Sequence, residues 1–179
     1  MNIHLRTWLA DHHNYRALLA LLEEQLSEFL IDGSPDYELM LDIMHYLGEC
    51  PDQLHHVHED NAYAALAAKH PEFKAVVTQL HQQHKEIIAS GLQLASGLRS
   101  IVSGNMMARE QINSKAKAYA ALLQDHLLVE EKELFPALQQ NVDCLSRLPG
   151  VSPAKDPVFG AVDAERYRSI RKRLGAESA

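Results

Sequence analysis

The sequence predicts an all-α protein: an up-down-up-down four-helix bundle with a short extra C-terminal helix. Three observations carry this. Apolar residues recur at three- and four-residue steps over long stretches, the period of a helix that buries one face. Alanine, leucine, glutamate, glutamine and lysine crowd the chain, and all are good helix formers. Glycine (8) and proline (7) are sparse, and aromatics make up only 6% of the 179 residues, low for an all-β core. An apolar share of 46% suffices for one sizeable core.

The first helix is expected over about Ile3 to Ile31, where Trp8, Tyr15, Leu18, Leu19, Leu22, Leu26 and Leu30 form a stripe. Asp32-Gly33-Ser34-Pro35 is a turn cluster, and Ser34 before Pro35 suits an N-cap with proline at the first helical position. The second helix then runs to about Lys69. Gly48 and Pro51 lie inside it, so a kink or break is expected near Cys50. His70-Pro71 ends it. The third helix covers about Glu72 to Val102, and Ser103-Gly104-Asn105 is the next turn. The fourth covers about Met106 to Gln140, with Pro136 disturbing its last turns.

These four helices make up a bundle over residues 1–145. The remainder, 146–179, reads as the loop Leu148 to Pro153 followed by a short basic helix, about Asp163 to Leu174, packed through Tyr167, Ile170 and Leu174. Its arginines are expected in water rather than on an acidic partner.

Composition narrows the function. A formal charge of −7 does not favour nucleic acid. No apolar run reaches about 18 residues, so no membrane span is expected. Met1 to Asp11 lacks a basic segment followed by an apolar one, so no signal peptide is expected. The two cysteines, Cys50 and Cys144, are isolated and form no Cys-x-x-Cys, which fits a reducing, cytoplasmic setting. A homo-oligomer is left open.

The chemistry lies in a histidine pattern that occurs twice. Asp11-His12 is followed, after a long gap, by His55-His56-Val57-His58-Glu59-Asp60; Gln83-His84 is followed by His126-Leu127-Leu128-Val129-Glu130-Glu131. Positions i and i+4 share a helix face, so His55/Glu59 and His126/Glu130 can each aim an imidazole and a carboxylate at one point. Antiparallel helices with a rise of about 1.5 Å per residue place His12, His55, His84 and His126 roughly 14–21 Å from the same end of the bundle. His12, His84 and His126 also sit in otherwise apolar stripes, where an imidazole is costly without a partner. Taken singly, each signal is weak, since an i,i+4 His/Glu pair is more often a solvated surface pair. Together they point to a shared site for iron, manganese or zinc. His13, His56 and His58 are expected in outer or surface roles, because a one-residue step turns a side chain by about 100°.

The chain resembles the hemerythrin-like (HHE cation-binding) domains, whose pattern is H…HxxxE…H…HxxxE along a four-helix bundle. The likeness covers about residues 3–141 and rests most on His55 to Asp60 and His126 to Pro136. Asp156-Pro157-Val158-Phe159-Gly160 followed by Tyr167 also looks like an extension of bacterial members. The resemblance implies a non-heme site of two iron ions, with manganese or zinc as substitutes. It would be held by His12, His55, Glu59, His84, His126 and Glu130, the glutamates bridging and an oxo or hydroxo group completing the bridge. His81 and Glu131 are further candidates. Oxygen carriers of the family have an HxxxH pair on the third helix, whereas here Leu80 stands four before His84 and the spare histidine is His81. The carriers also use a carboxylate five places after the last histidine, which would be Glu131.

Four histidines with two carboxylates form a shell poorer in negative charge than ferritin-like sites. Such a shell should favour ferrous/ferric cycling and a small diatomic or peroxide ligand at an open position. The resemblance thus implies a protein that binds oxygen, nitric oxide or a related oxidant for sensing, storage or scavenging. The alternatives are a di-iron enzyme (a peroxide or nitric-oxide reductase, or an iron donor in iron–sulfur repair) and a structural bundle with zinc or no metal.

Overall fold

Asn2 starts the first helix by accepting a hydrogen bond from the backbone N–H of His4 at 2.8 Å, and α1 runs from Ile3 to Leu30. The computed structural model describes residues 1–31, 33–51, 55–105, 107–150, 156–160 and 167–175, and only the backbone of Glu49 and Cys50. Among the described residues there is no strand.

The second helix begins later than its turn signals suggest. Asp36, not Ser34, is the N-cap: its carboxylate accepts from Leu39 N at 2.9 Å, and its own N–H donates to the side chain of Gln25 at 2.8 Å. A carboxylate is the stronger cap because it also meets the positive end of the helix dipole. The interruption expected near Cys50 appears as two separate α-helices. Helix α2 spans Tyr37–Cys50 and α3 spans His56–Lys69, with residues 52–54 outside the described set. Pro51, lacking an N–H, stands at the C-cap of α2.

After the 3₁₀ turn Pro71–Phe73, α4 covers Lys74–Val102. It ends at Gly104, whose φ of 84° an L side chain rarely adopts. Helix α5 spans Arg109–Val129, and a π-helical turn, Glu130–Leu134, joins it to α6, Phe135–Gln140. The disturbance predicted at Pro136 therefore falls just before it. In a straight α-helix the Pro136 ring would clash with the carbonyl four residues back. The wider turn avoids this, with Phe135 N–H donating to Glu130 O five residues back.

Helix α4 packs on α5, α2 and α3, and α5 packs on α1, which makes an all-α bundle. No described helix is long and apolar enough to cross a membrane. In the tail, residues 151–155 and 161–166 lie outside the described set, and α7 spans Arg168–Arg173. Val158, Tyr167 and Ile170 are buried in the core of the bundle. Tyr46 Oη donates to Asp156 Oδ2 at 2.6 Å, and Ser169 donates to Asp42 at 2.7 Å.

The core divides into two apolar clusters. One gathers Tyr15, Leu19 and Leu22 of α1, Ile43 and Leu47 of α2, Ile87 and Leu94 of α4, and Tyr119, Leu123 and Leu127 of α5. The other gathers Leu5 and Trp8, Tyr63 and Leu66, Val77 and Leu80, and Leu134, Phe135 and Leu138. Between the buried members of the two clusters lie residues 9–14 of α1, with His12, and 81–86 of α4, with His84; Glu130 lies between Leu127 and Leu134, with His126 one step before Leu127, and His55 and Glu59 lie between Leu47 and Ala62. Each large side chain buried on either side contributes about 1.5–3 kcal/mol. That stabilisation offsets the cost of a polar layer in the middle.

Candidate metal centre

His12, His55, Glu59, His84, His126 and Glu130 are all brought into this layer and all are buried; His12, Glu59, His126 and Glu130 are 0% exposed. The two halves of the sequence repeat build two poles. At one, Nε2 of His12 and Nε2 of His55 are 3.2 Å apart, across 43 residues of chain. At the other, Nε2 of His84 and Nε2 of His126 are 3.1 Å apart, across 42.

The carboxylates lie between the poles. Glu59 Oε1 is 3.0 Å from His55 Nε2 and 3.8 Å from His12 Nε2, while its Oε2 faces His84 at 4.0 Å. Glu130 Oε2 is 3.4 Å from His12 Nε2 and 3.3 Å from His126 Nε2, and its Oε1 is 3.8 Å from His84. Oε1 of Glu130 also accepts from the hydroxyl of buried Tyr63 at 2.9 Å.

The orientation of each imidazole is fixed from behind. His55 Nδ1 meets Asp11 Oδ2 at 3.0 Å, and His126 Nδ1 meets Gln83 Oε1 at 3.3 Å. His12 Nδ1 meets Glu131 Oε1 at 2.9 Å, and His84 Nδ1 meets Asp60 Oδ1 at 3.0 Å. With an acceptor facing every Nδ1, that nitrogen keeps its proton when the imidazole is neutral, which leaves the inward Nε2 free to bind a cation, the arrangement of metal-holding histidines. The acceptors follow the repeat too. Asp11 and Gln83 precede His12 and His84 and each serves the other histidine of its own half. Asp60 and Glu131 follow the glutamates and serve the opposite half.

These four partners are the functional residues that the sequence reading left without a role, apart from naming Glu131 as a candidate donor. Their signal was present: in both halves an acceptor stands directly beside a site residue. Glu131 lies behind His12, where it also pairs with Arg16 at 2.8 Å. His81 is half-buried at the rim, 3.2 Å from Asp60. His13 is exposed and His58 half-buried. His56, expected outside, is buried, with its ring stacked on His84 at a centroid distance of 4.1 Å.

Charge in the layer is strongly coupled. Burial alone would lower His55, but Glu59 and Asp11 raise it from an ordinary 6.5 to about 9. Against the same penalty, Asp60, Glu130 and Glu59 raise His84 to about 10. The carboxylates of Glu130, Glu131 and Glu59 outweigh burial at His12 and raise it well above its usual value. Burial opposes the charged form of Glu130, yet His126, His12 and His84 hold it well below the carboxylate range. Tyr63 is pushed well up, by burial first and then by Glu130 and Glu59. A 3.2 Å gap between two Nε2 atoms has room for one proton, so protons are shared within the layer.

A cation fits these donors for a specific reason. Both oxygens of Glu59 and Oε2 of Glu130 are buried without a hydrogen-bond partner among the described residues. Unsatisfied buried carboxylate oxygens are costly. Two donors at adjacent corners around an ion at about 2.1 Å stand about 3 Å apart, close to the Nε2–Nε2 spacings at both poles. Two groups could each hold an ion: His12, His55 and Glu59, and His56, Glu59, His84 and His126, with Glu59 common to both.

Residues 4–138 match the family model described as hemerythrin HHE cation binding domain. No curated protein and no solved structure matches the chain significantly. With three quarters of its length matched and a buried histidine–glutamate layer that could hold metal, the chain belongs to the hemerythrin HHE cation-binding family.

Proposed function

We propose that this protein holds two iron ions through His12, His55, Glu59, His84, His126 and Glu130, and binds oxygen, nitric oxide or a related small oxidant for sensing, storage or scavenging. The observation that carries the reading is Glu59: a fully buried carboxylate with neither oxygen hydrogen-bonded, one facing each histidine pair. When bound, the two ions supply one-electron chemistry and an open position for a small ligand.

The chain's own residues do the rest. Asp11, Glu131, Asp60 and Gln83 fix the imidazoles before a cation arrives, so little order is lost on binding. Tyr63 holds one oxygen of Glu130 and keeps a proton close to the layer. Trp8 and Phe135 on one side and Tyr15 on the other keep bulk water out. Met44, Leu47, Ile87, Gly91 and Tyr119, with His45 and Arg99, line a partly open, mostly apolar pocket of about 200 Å³ that none of the six donors touches. A buried free Cys144, with no thiol pair in the sequence beyond Cys50, supports a reducing cytoplasmic setting.

The test is anaerobic loading with ferrous iron, followed by titration with oxygen and then nitric oxide. Two irons per chain are expected, with new near-ultraviolet and visible charge-transfer bands on titration. A protein that takes up two irons and shows no spectral response to either gas overturns the ligand assignment. One that takes up none overturns the metal assignment.

A further inference from the structure

The two poles are not equal, and the difference lies in His56. Its helical position, one step from His55, would turn it outward. Instead it is buried, stacked on His84 with planes 20° apart, and edge-on to His126 at 5.9 Å. One of its nitrogens, one each from His84 and His126, and an oxygen of Glu59 all lie within 4.8 Å of one another. Opposite corners around an ion at about 2.1 Å are about 4.2 Å apart, so four donors in this space can share one cation. At the other pole only His12 and His55 join Glu59.

We propose that His56 is a third imidazole donor at the His84–His126 pole, so that this pole offers three histidines and the His12–His55 pole two. The inference rests on the two-iron reading above and adds a donor to it. His56 also lines a groove of about 320 Å³ with Asp60, His81, His84 and Lys85, which places this pole nearer the surface. The three-histidine pole therefore binds its ion more tightly and fills first.

His56→Phe tests this, because the aromatic ring can keep the stacking on His84 but has no donor atom. Ferrous titration against a competing chelator should give two affinities in the unmodified protein. In the variant the tighter one should fall at least about tenfold. Mössbauer spectra of the fully loaded protein should show two inequivalent irons of equal area, and the variant should alter one of them. In His56→Ala, added imidazole should restore the original spectrum. Circular dichroism shows whether each variant keeps its helix content. If neither does, X-ray absorption on the unmodified protein decides, since five imidazoles over two ions are expected and four would overturn the proposal. Unchanged affinities and spectra in a folded His56→Phe overturn it while leaving the two-iron reading intact. An unmodified protein that loads no iron overturns both.

Discussion

The carboxylate of Asp11 sits 3.0 Å from Nδ1 of His55, while the next residue, His12, turns its own Nε2 to within 3.2 Å of Nε2 on the same ring. Consecutive residues of α1 thus grip one imidazole of the facing segment from both ends. A helical step of about 100° makes this possible, because it sends one side chain into the core and the next along its edge. Gln83 and His84 repeat the arrangement on His126. The difference is that an amide replaces the carboxylate, so His55 has the more electron-rich support of the two.

Asp11→Asn should therefore lower ferrous affinity about 10–100-fold while leaving the fold intact. The amide can still accept from Nδ1 but carries no charge to raise the basicity of the ring. Competition with a chelator of known affinity measures the loss, and circular dichroism checks the helices. Unchanged affinity would mean that Asp11 contributes nothing to the centre.

The depth and stripe of the six expected donors could be read from the sequence, because regular helices fix both at about 1.5 Å and 100° per residue. What could not be read arises where the helices are irregular. His55 is the N-cap of α3 at φ −80° and ψ −67°, off the regular helix values, so the wheel of α3 places His55 and His56 only roughly. The π turn at Glu130–Leu134 likewise shifts the register just where Glu131 reaches back to His12. The Nδ1 partners lie off the apolar stripe, and their contacts depend on how neighbouring helices are rotated, which periodicity within one helix does not encode.

Two glycines should respond to alanine with opposite signs. Gly48 is helical, and a Cβ there would meet nothing within 4 Å, so Gly48→Ala should stabilise by about 0.5–1 kcal/mol through lost freedom in the unfolded chain. Gly104 is as open but has φ 84°, so Gly104→Ala should destabilise by about 1 kcal/mol or more. Urea denaturation of both variants is the measurement, and the same sign for both would refute the argument.

Removing the cation should lower stability, because it uncovers the unpaired oxygens of Glu59 and Glu130. A ligand at about 100 times its Kd stabilises by about 2.7 kcal/mol, which for a domain of this size is a Tm shift of about 5–10 °C. Thermal unfolding with ferrous iron and after chelation checks this. Equal Tm values at saturating iron would mean that the layer gains nothing from a cation.

The last prediction concerns pH. In the metal-free layer His55 titrates near 9 and His84 near 10, both above the ordinary 6.5. For a group raised on folding, the stabilising contribution is complete below the unfolded value and is lost as pH rises through the folded one. Metal-free protein should thus lose stability progressively as pH rises from about 6.5 to about 9–10 by this route. Glu131 is the opposite case. It is held down to about 2 by His12, against the opposing effect of burial, and by Arg16, so its contribution is present above 4.5 and fades as pH falls towards 2. A cation needs the nitrogens that hold those protons, and binding at pH 7 must expel them. Ferrous affinity should accordingly rise with pH from 6 to about 10 and level off above it. Calorimetric titrations in two buffers of different ionisation enthalpy count the released protons directly. At least one proton per chain is expected at pH 7, and a count of zero would show that the histidines are already neutral before metal arrives.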